Sequence, residues 1–199
     1  MNKFLKITLL VVASLMSVNA VAQNQWSVTA GYQKSDNRAS ASSGGTTITT
    51  NCNGFFAGVG YEAPIKGIQN LYFEGQFLYS YLGDRDGDVT ENLHSLLIPI
   101  RAKYKMDLTD QFGIFAYGGP VASLGIGANA KQGNVSYSLY GKDGIINRFD
   151  VKLGIGAGIE LSHKVVFRIG YDWGLFNAFL VDGVKMNINL LQIGVAYNL

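Results

Sequence analysis

Nine charged residues fall at alternate positions within segments that otherwise alternate large apolar residues with small or polar ones. Side chains two positions apart lie on the same face of a β-strand, so these charges are expected to share one face of a sheet. Buried charges need partners, and the near balance of acids and bases predicts a network of ion pairs. The residues of this predicted network are Glu62, Glu74, Arg101, Lys103, Asp150, Lys152, Glu160, Arg168 and Asp172.

The predicted hairpins suggest partners within this network. Joining the third and fourth strand-like segments around residue 87 places Glu74 opposite Arg101 and within reach of Lys103. Joining the sixth and seventh segments around residue 163 brings two further acids close to two further bases. These two expected pairs are Glu160 with Arg168, in a diagonal position, and Asp172 with Lys152.

Two histidines are the candidates for acid–base chemistry. His94 stands next to Ser95 and follows an acid-rich segment, which makes a Ser-His-acid arrangement for lipid deacylation the reaction to consider. Adjacent residues on a strand point to opposite faces, so His94 and Ser95 cannot pair directly. His163 lies in a different predicted turn, at the opposite end of the strand-like segments from His94. The pattern therefore predicts no catalytic residue and no enzyme.

An acidic segment resembles a calcium-binding loop. Asp84, Asp86 and Glu91 offer carboxylate oxygens, which are the ligands that Ca²⁺ prefers. Val89 stands at the sixth position, where an EF-hand needs glycine, and no acid occupies the twelfth. Asp86 followed by Gly87 is instead typical of a hairpin turn. We expect no metal site and no cofactor.

The elements that carry these residues are β-strands. Seven segments alternate in twos, a period that indicates strands and not helices, and a glycine-rich segment at 112–128 is taken as a further strand without an assigned register. Each has about 10 residues or more, the length that crosses a membrane when a strand is tilted. The eight strand segments are 26–33, 54–62, 71–81, 95–104, 112–128, 149–161, 165–175 and 191–199.

The connections between these segments alternate in length. Links at 64–70, 106–111 and 162–164 are short, whereas those at 36–51, 83–92, 129–148 and 177–186 are longer and polar. Short periplasmic turns and long extracellular loops are typical of outer-membrane barrels, so both termini are expected on the periplasmic side. The fold class predicted is all-β, an eight-stranded antiparallel up-and-down transmembrane β-barrel.

The N-terminus has the pattern of a secretory signal peptide. Lys3 and Lys6 precede an apolar stretch at 7–18, and Ala20-Val21-Ala22 supplies small residues for cleavage. The apolar stretch is shorter than the roughly 20 residues of a transmembrane helix. We therefore expect a cleaved signal peptide over 1–22 and a barrel domain over 23–199.

The composition limits the function classes. Removing the two lysines of the signal peptide leaves 14 basic and 14 acidic residues, which predicts no nucleic-acid partner. Charged residues make up 15% of the chain, against about 25% in soluble domains. Cys52 is the single cysteine, so no intramolecular disulfide is expected and it is interpreted as a small buried or loop residue.

A soluble lipocalin-like barrel has the same alternation turned inside out. Its water-facing surface would be crowded with lysine and glutamate. Here the weakly polar face carries mainly glycine, serine, glutamine and isolated charges, and the other face is almost uninterrupted phenylalanine, tyrosine, isoleucine, leucine and valine. These contents favour a membrane barrel with its apolar face toward lipid and a lumen filled with small residues and paired ions.

Four short motifs resemble the PorT-like outer-membrane β-barrel family: LIPIRAKY at 97–104, YGGP at 117–120, FDVKLGIGAG at 149–158 and GVAY at 194–197. The resemblance extends over nearly all of the predicted mature chain. It implies an eight-stranded barrel of the OmpA/OmpX type in the outer membrane. The member that gives the family its name acts in protein secretion, but most relatives are functionally uncharacterised, so that role is not transferred and an accessory part in secretion is kept as one option.

The function predicted is a non-catalytic outer-membrane barrel with a side-chain-filled lumen and a structural or loop-mediated interaction role. The alternatives are a narrow channel for ions or small solutes and a lipid-modifying outer-membrane enzyme. The predicted partners are outer-membrane lipid, including lipopolysaccharide, and a protein that contacts the extracellular loops or periplasmic turns. Tyr137 and Tyr140, in the loop 129–147, are the candidate docking residues, with extension of the adjoining strands as the alternative.

Overall fold

The computed structural model describes residues 24–41, 47–86, 89–132, 135–140, 146–178 and 184–199. The predicted signal peptide and the centre of the acidic segment, 87–88, lie outside the described residues. The described part of the chain contains no helix long and apolar enough to cross a membrane. Its strands are β1 (Gln25–Ala41), β2 (Thr47–Pro64), β3 (Leu71–Asp86), β4 (Val89–Thr109), β5 (Phe112–Gln132), β6 (Val135–Ser138), β7 (Phe149–Leu161), β8 (Val165–Gly174) and β9 (Val184–Asn198).

Eight of these strands form a closed ring. Neighbours along the chain pair antiparallel from β1 to β5 and from β7 to β9, β5 pairs with β7, and β1 pairs with β9. The short strand β6 lies outside the ring and pairs only with the last residues of β5 among the described residues. The predicted eight-stranded up-and-down barrel is confirmed.

The two ends of the barrel differ. We call the end with the short links 65–70, 110–111 and 162–164 the turn end, and the opposite end the loop end. At the loop end β1 to β5 continue well past the predicted boundaries, and β4 and β5 each reach 21 residues. Ser40 pairs with Thr47 and Asp86 with Val89. Much of the segments predicted as loops at 36–51 and 83–92 is therefore paired strand, because the hydrogen-bonded ladder continues beyond the alternating apolar pattern.

The outer face of the barrel is apolar, as the alternation predicts. Phe55, Ile155 and Ile169 are each 51% exposed although they occupy the middle of paired strands. Trp26, Tyr61 and other aromatic residues lie toward the strand ends on this face, where outer-membrane barrels carry aromatic girdles. Such an exterior matches lipid as its surroundings.

The interior departs from the prediction in one respect. The inward face was expected to hold small residues and paired ions, but near the loop end it holds a layer of large apolar side chains. Leu78 and Leu97 are each 1% exposed. The buried members of this apolar layer are Cys52, Phe56, Leu78, Leu82, Leu93, Leu97, Val121, Ala128, Tyr140, Ile146 and Leu190. The barrel interior thus has a charged part and an apolar part.

Candidate functional site

The charged part of the lumen is built around Glu74. Its Oε1 and Oε2 accept hydrogen bonds from Arg168 Nη2 and Nη1 at 2.8 and 3.3 Å. Arg101 lies directly opposite Glu74 in the β3–β4 register, with 3.9 Å between Arg101 Nη1 and Glu74 Oε1. Lys103 Nζ lies 3.7 Å from Glu74 Oε2. One buried carboxylate therefore holds three cations that come from β4 and β8.

A second group of charges lies toward the turn end. Lys103 Nζ donates to Glu62 Oε2 at 2.8 Å, and Lys105 Nζ contacts both Glu62 and Glu160, the latter at 3.1 Å. Lys105 was not among the residues predicted from the sequence. The signal was present, because Lys105 follows Arg101 and Lys103 at the same spacing of two residues. With Lys105 included, this network has five acidic and five basic members.

The ring of Tyr117 lies close to both arginines of the lumen. The guanidinium carbon of Arg101 lies 4.7 Å from the ring centroid and that of Arg168 lies 4.4 Å from it. Both positions are in the range of cation–π attraction. A Cβ at Gly156 would lie 2.3 Å from Tyr117 Oη, so the glycine leaves the space that this ring needs. The tyrosine therefore stabilises both cations.

Two of the expected ion pairs differ from the prediction. Arg168 bonds to Glu74 and not to Glu160, and Glu160 contacts Lys105 instead. Asp172 accepts from Arg101 Nη2 at 3.3 Å. Lys152 contacts Asp150 and donates to the Ile188 carbonyl at 2.7 Å. The predicted pairs joined sequential strands, whereas closure of the ring brings β8 across the lumen to β3 and β4.

Tyr140 lies beneath the loop end and belongs to the apolar layer. The residue is 8% exposed, and a Cβ at Gly125 would lie 2.2 Å from Tyr140 Oη, so the ring occupies a slot that this glycine leaves open. Burial raises the pKa of the Tyr140 phenol, while a hydrogen bond with Ser95 and the charge of Arg148 act against the rise. One backbone hydrogen bond, from Leu139 N to the Ala128 carbonyl at 2.9 Å, anchors this segment on β5.

The prediction for this loop was half wrong. Tyr140 was a candidate docking residue, but it is buried among leucines of the lumen and cannot present its ring to a partner in this arrangement. Tyr137 on β6 is 57% exposed and remains accessible. The difference arises because β6 pairs beside the last residues of β5, whereas Tyr140 lies beyond its end and packs against Gly125 inside the barrel.

The spaces inside the lumen are small. A cavity of about 30 Å³ lies below Tyr140 and is lined by Ser80, Ser95, Ser123 and Asp150 among others. A second cavity of about 10 Å³ lies beside Glu74 and Arg168. A larger polar vestibule of about 380 Å³ opens at the turn end and ends at Lys105. A cavity of about 30 Å³ has room for only one or two water molecules, so neither of these two cavities is by itself an aqueous channel.

The two histidines lie apart from one another and contact different residues. His94 Nδ1 lies 2.6 Å from Tyr79 Oη on the outer face, whereas Ser95 lines the cavity below Tyr140. Their separation onto opposite faces agrees with the strand argument. His163 lies at the turn end, with its Nδ1 3.3 Å from Glu160 Oε1.

The acidic segment and the cysteine lie near the loop end. Asp84 and Glu91 are opposite each other in the β3–β4 hairpin. The described residues include no group of three or more histidine, cysteine, aspartate or glutamate side chains placed to hold a metal ion. Cys52 is 1% exposed, its backbone N donates to Ser35 Oγ at 3.3 Å, and Asn37 lies beside its sulfur. It is a buried residue of the apolar layer.

Comparison with known proteins gives one family match. The model of the family described as the outer membrane protein beta-barrel domain matches residues 7–198. Comparison with curated proteins gives no match.

Several solved structures resemble the chain. Ail, the attachment invasion locus protein of Yersinia pestis, is 14% identical, with 89% of this chain and 100% of Ail covered and a TM-score of 0.47. Neisserial surface protein A is 18% identical, with 86% and 96% of the two chains covered and a TM-score of 0.49. The outer membrane enzyme PagL is 14% identical, with 84% and 98% covered and a TM-score of 0.47.

Proposed function

Because the chain belongs to the family of outer membrane protein β-barrel domains, we propose that it acts in the outer membrane as a closed, non-catalytic barrel with a structural or recognition role. The observation that carries this proposal is the composition of the lumen. Ten charged side chains from β2, β3, β4, β7 and β8 pair with one another inside it, and the apolar layer covers them toward the loop end. An eight-stranded barrel is just wide enough for its side chains to fill it.

The charged network supports closure better than conduction. An ion path needs charged groups that face water, but Glu74, Arg101 and Arg168 are all at least nine-tenths buried, and both arginines form ion pairs with Glu74. Separating such groups leaves buried charges without partners, which is strongly unfavourable. The apolar layer adds a second barrier, because leucine side chains do not replace the hydration shell of an ion.

Conductance tests the closed lumen directly. We expect the purified protein in planar bilayers to give no discrete channel openings, with a trimeric porin as the positive control. Arg168→Ala is expected to lower the thermal unfolding temperature and still give no openings, because the apolar layer stays intact. A stable conductance from the unaltered protein would contradict the proposal and favour a narrow channel.

Lipid analysis tests the absence of catalysis. His94 and Ser95 face opposite sides of β4, so they do not form a nucleophile–base pair. We expect the mass spectrum of lipid A to be the same in cells that overproduce the protein and in cells with an empty vector. The non-catalytic assignment would be overturned if lipid A lost an acyl chain in cells that overproduce the unaltered protein but kept it in cells that overproduce His94→Ala.

The recognition role and the link to secretion rest on the loop end and on the motif resemblance. Strands β1 to β6 extend the barrel wall outward, and Tyr137 of β6 offers an exposed ring there. We propose that a protein partner contacts this wall. Residues 1–22 are proposed to be removed during export. An accessory role in secretion is a further proposal, which the PorT-like motifs support. Cross-linked partners that are captured by the intact protein and lost when 133–146 are deleted would support this role.

A further inference from the structure

Two of the three prolines of the chain lie in the middle of ring strands, Pro99 in β4 and Pro120 in β5. Proline has no backbone N–H, so it cannot donate a hydrogen bond to the ladder between two strands. For this reason proline in a sheet is normally confined to edge strands, strand ends and bulges. A closed ring has no edge strand, so each of these prolines weakens the wall of the barrel itself.

The pairing of β4 is interrupted beside both prolines. Between β3 and β4 the paired residues omit 76–77 and 98–99. Between β4 and β5 they omit 100–101 and 119–120. Each gap skips two residues on both strands and contains one of the prolines, so no residue is inserted and the missing donor accounts for the gap. We call residues 98–101 the β4 seam, because each of them lacks pairing on one side.

The rest of the ring is regular. Among the residues that the structure describes, the other six strand pairs of the ring run without such a gap. The β4–β5 pair has two further register shifts, at His94/Ser95 and at Asp107/Thr109. All irregular pairings of the described ring therefore involve β4. Local opening begins where the fewest contacts hold an element, which makes β4 the weakest strand of the wall.

The side chain of Arg101 bridges both gaps from inside the lumen. Its Nη1 donates to Gln76 Oε1 at 3.4 Å and lies 3.9 Å from Glu74 Oε1, and both of these residues belong to β3. On the other side, its guanidinium carbon lies 4.7 Å from the ring centroid of Tyr117 on β5. Arg101 therefore connects β4 to both neighbouring strands at the level where the ladder bonds are missing.

The lipid-facing side of the seam has no comparable bridge. Ile98 and Ile100 face outward on β4 and are 41% and 40% exposed. Gly118, Pro120 and Ala122 occupy the outward positions of β5 beside them. None of these five residues has a hydrogen-bonding group in its side chain, so the outer face closes the seam by packing alone.

We propose that the β4 seam is a lateral opening point of the barrel wall, which Arg101 closes from inside the lumen. Opening a wall in lipid costs every ladder bond that it breaks, because the bilayer offers no replacement for a backbone hydrogen bond. This cost is lowest where proline has already removed such bonds. When Arg101 withdraws from β3 and from Tyr117, the lumen opens sideways toward the bilayer and not along the barrel axis.

This proposal does not depend on closure of the lumen along its axis, so a conducting barrel would leave it standing. Its test is amide hydrogen exchange, followed by NMR on the folded protein in phosphatidylcholine nanodiscs. The amides of Ile100 and Ala102 on β4 are compared with those of Ala157 and Ile169, which pair with each other in the unbroken β7–β8 ladder. The readout is the ratio of the protection factors, so a uniform loss of stability cancels. We expect the β4 amides of the unaltered protein to be about tenfold less protected.

Three variants separate the seam from general stability. Arg101→Gln is expected to widen the difference in protection about tenfold further, whereas Arg168→Gln, which removes a buried arginine from the regularly paired β8, is not. Pro120→Ala supplies the missing N–H and is expected to narrow the difference, alone and combined with Arg101→Gln. Folding is checked by the mobility shift on gels, and Pro120→Ala alone decides if Arg101→Gln does not fold. Equal protection of both sets of amides in the unaltered protein, an unchanged difference in Pro120→Ala, or an equal effect of the two arginine variants would overturn the proposal.

Discussion

Glu74→Gln is expected to lower the free energy of unfolding by about 3–5 kcal/mol, the range found when one partner of a buried ion pair is removed. Glutamine keeps the size of the side chain but not its charge. Arg168, Arg101 and Lys103 would then face one another around a neutral amide, with no other carboxylate as close to all three. The loss comes from buried positive charge that cannot be solvated inside the barrel.

The measurement is equilibrium unfolding in urea in the presence of lipid vesicles, followed by tryptophan fluorescence. Asp110→Asn is the control, because it also neutralises one carboxylate but lies exposed in the turn between β4 and β5. We expect this control to change the free energy of unfolding by about 0.5 kcal/mol or less. Equal effects of the two variants would show that the central carboxylate does not organise the lumen.

Leu97→Ala is expected to lower the free energy of unfolding by about 2–5 kcal/mol, as for other buried leucines that leave a cavity. Leu97 is 1% exposed and packs in the apolar layer of the lumen. The surrounding side chains are fixed to a closed ring of strands, which limits how far they can collapse into the space. The same urea titration measures this effect.

Leu96→Ala is the matched control for this prediction. Leu96 is the same residue type on the same strand, but it faces outward, where lipid chains fill the space that a shortened side chain leaves. We expect a loss of about 1 kcal/mol, from the reduced apolar area alone. A larger loss for Leu96→Ala than for Leu97→Ala would contradict the assignment of the two faces.

The apolar layer was within reach of the sequence but was missed. Leu78 and Leu82 fall in the same steps of two as Glu74, Gln76 and Ser80, so the alternation itself assigns them to the inward face. The expectation of a lumen with small residues and paired ions gave weight only to the polar members of that face. An inward leucine is stable in a barrel when other inward apolar groups cover it, and the side chains that do so come from several strands.

Local periodicity alone determined the strands, the outward direction of the apolar face and the antiparallel order, because side-chain direction alternates with every residue and short links force neighbouring strands to pair. The sequence also predicted that Glu74 lies opposite Arg101, because the register of a hairpin follows from the position of its turn. The family match over 7–198 and the closed ring agree with this part.

Tertiary structure alone decided which charges meet across the lumen and which loop residues enter it. Glu74 and Arg168 are 94 residues apart, and Arg101 and Asp172 are 71 apart, so their contacts depend on ring closure and on the stagger of the strands. The burial of Tyr140 beside Gly125 likewise depends on how far β5 rises above β7. Alternation specifies the face of a residue, whereas its partner across a barrel is set by the sum of every register around the ring.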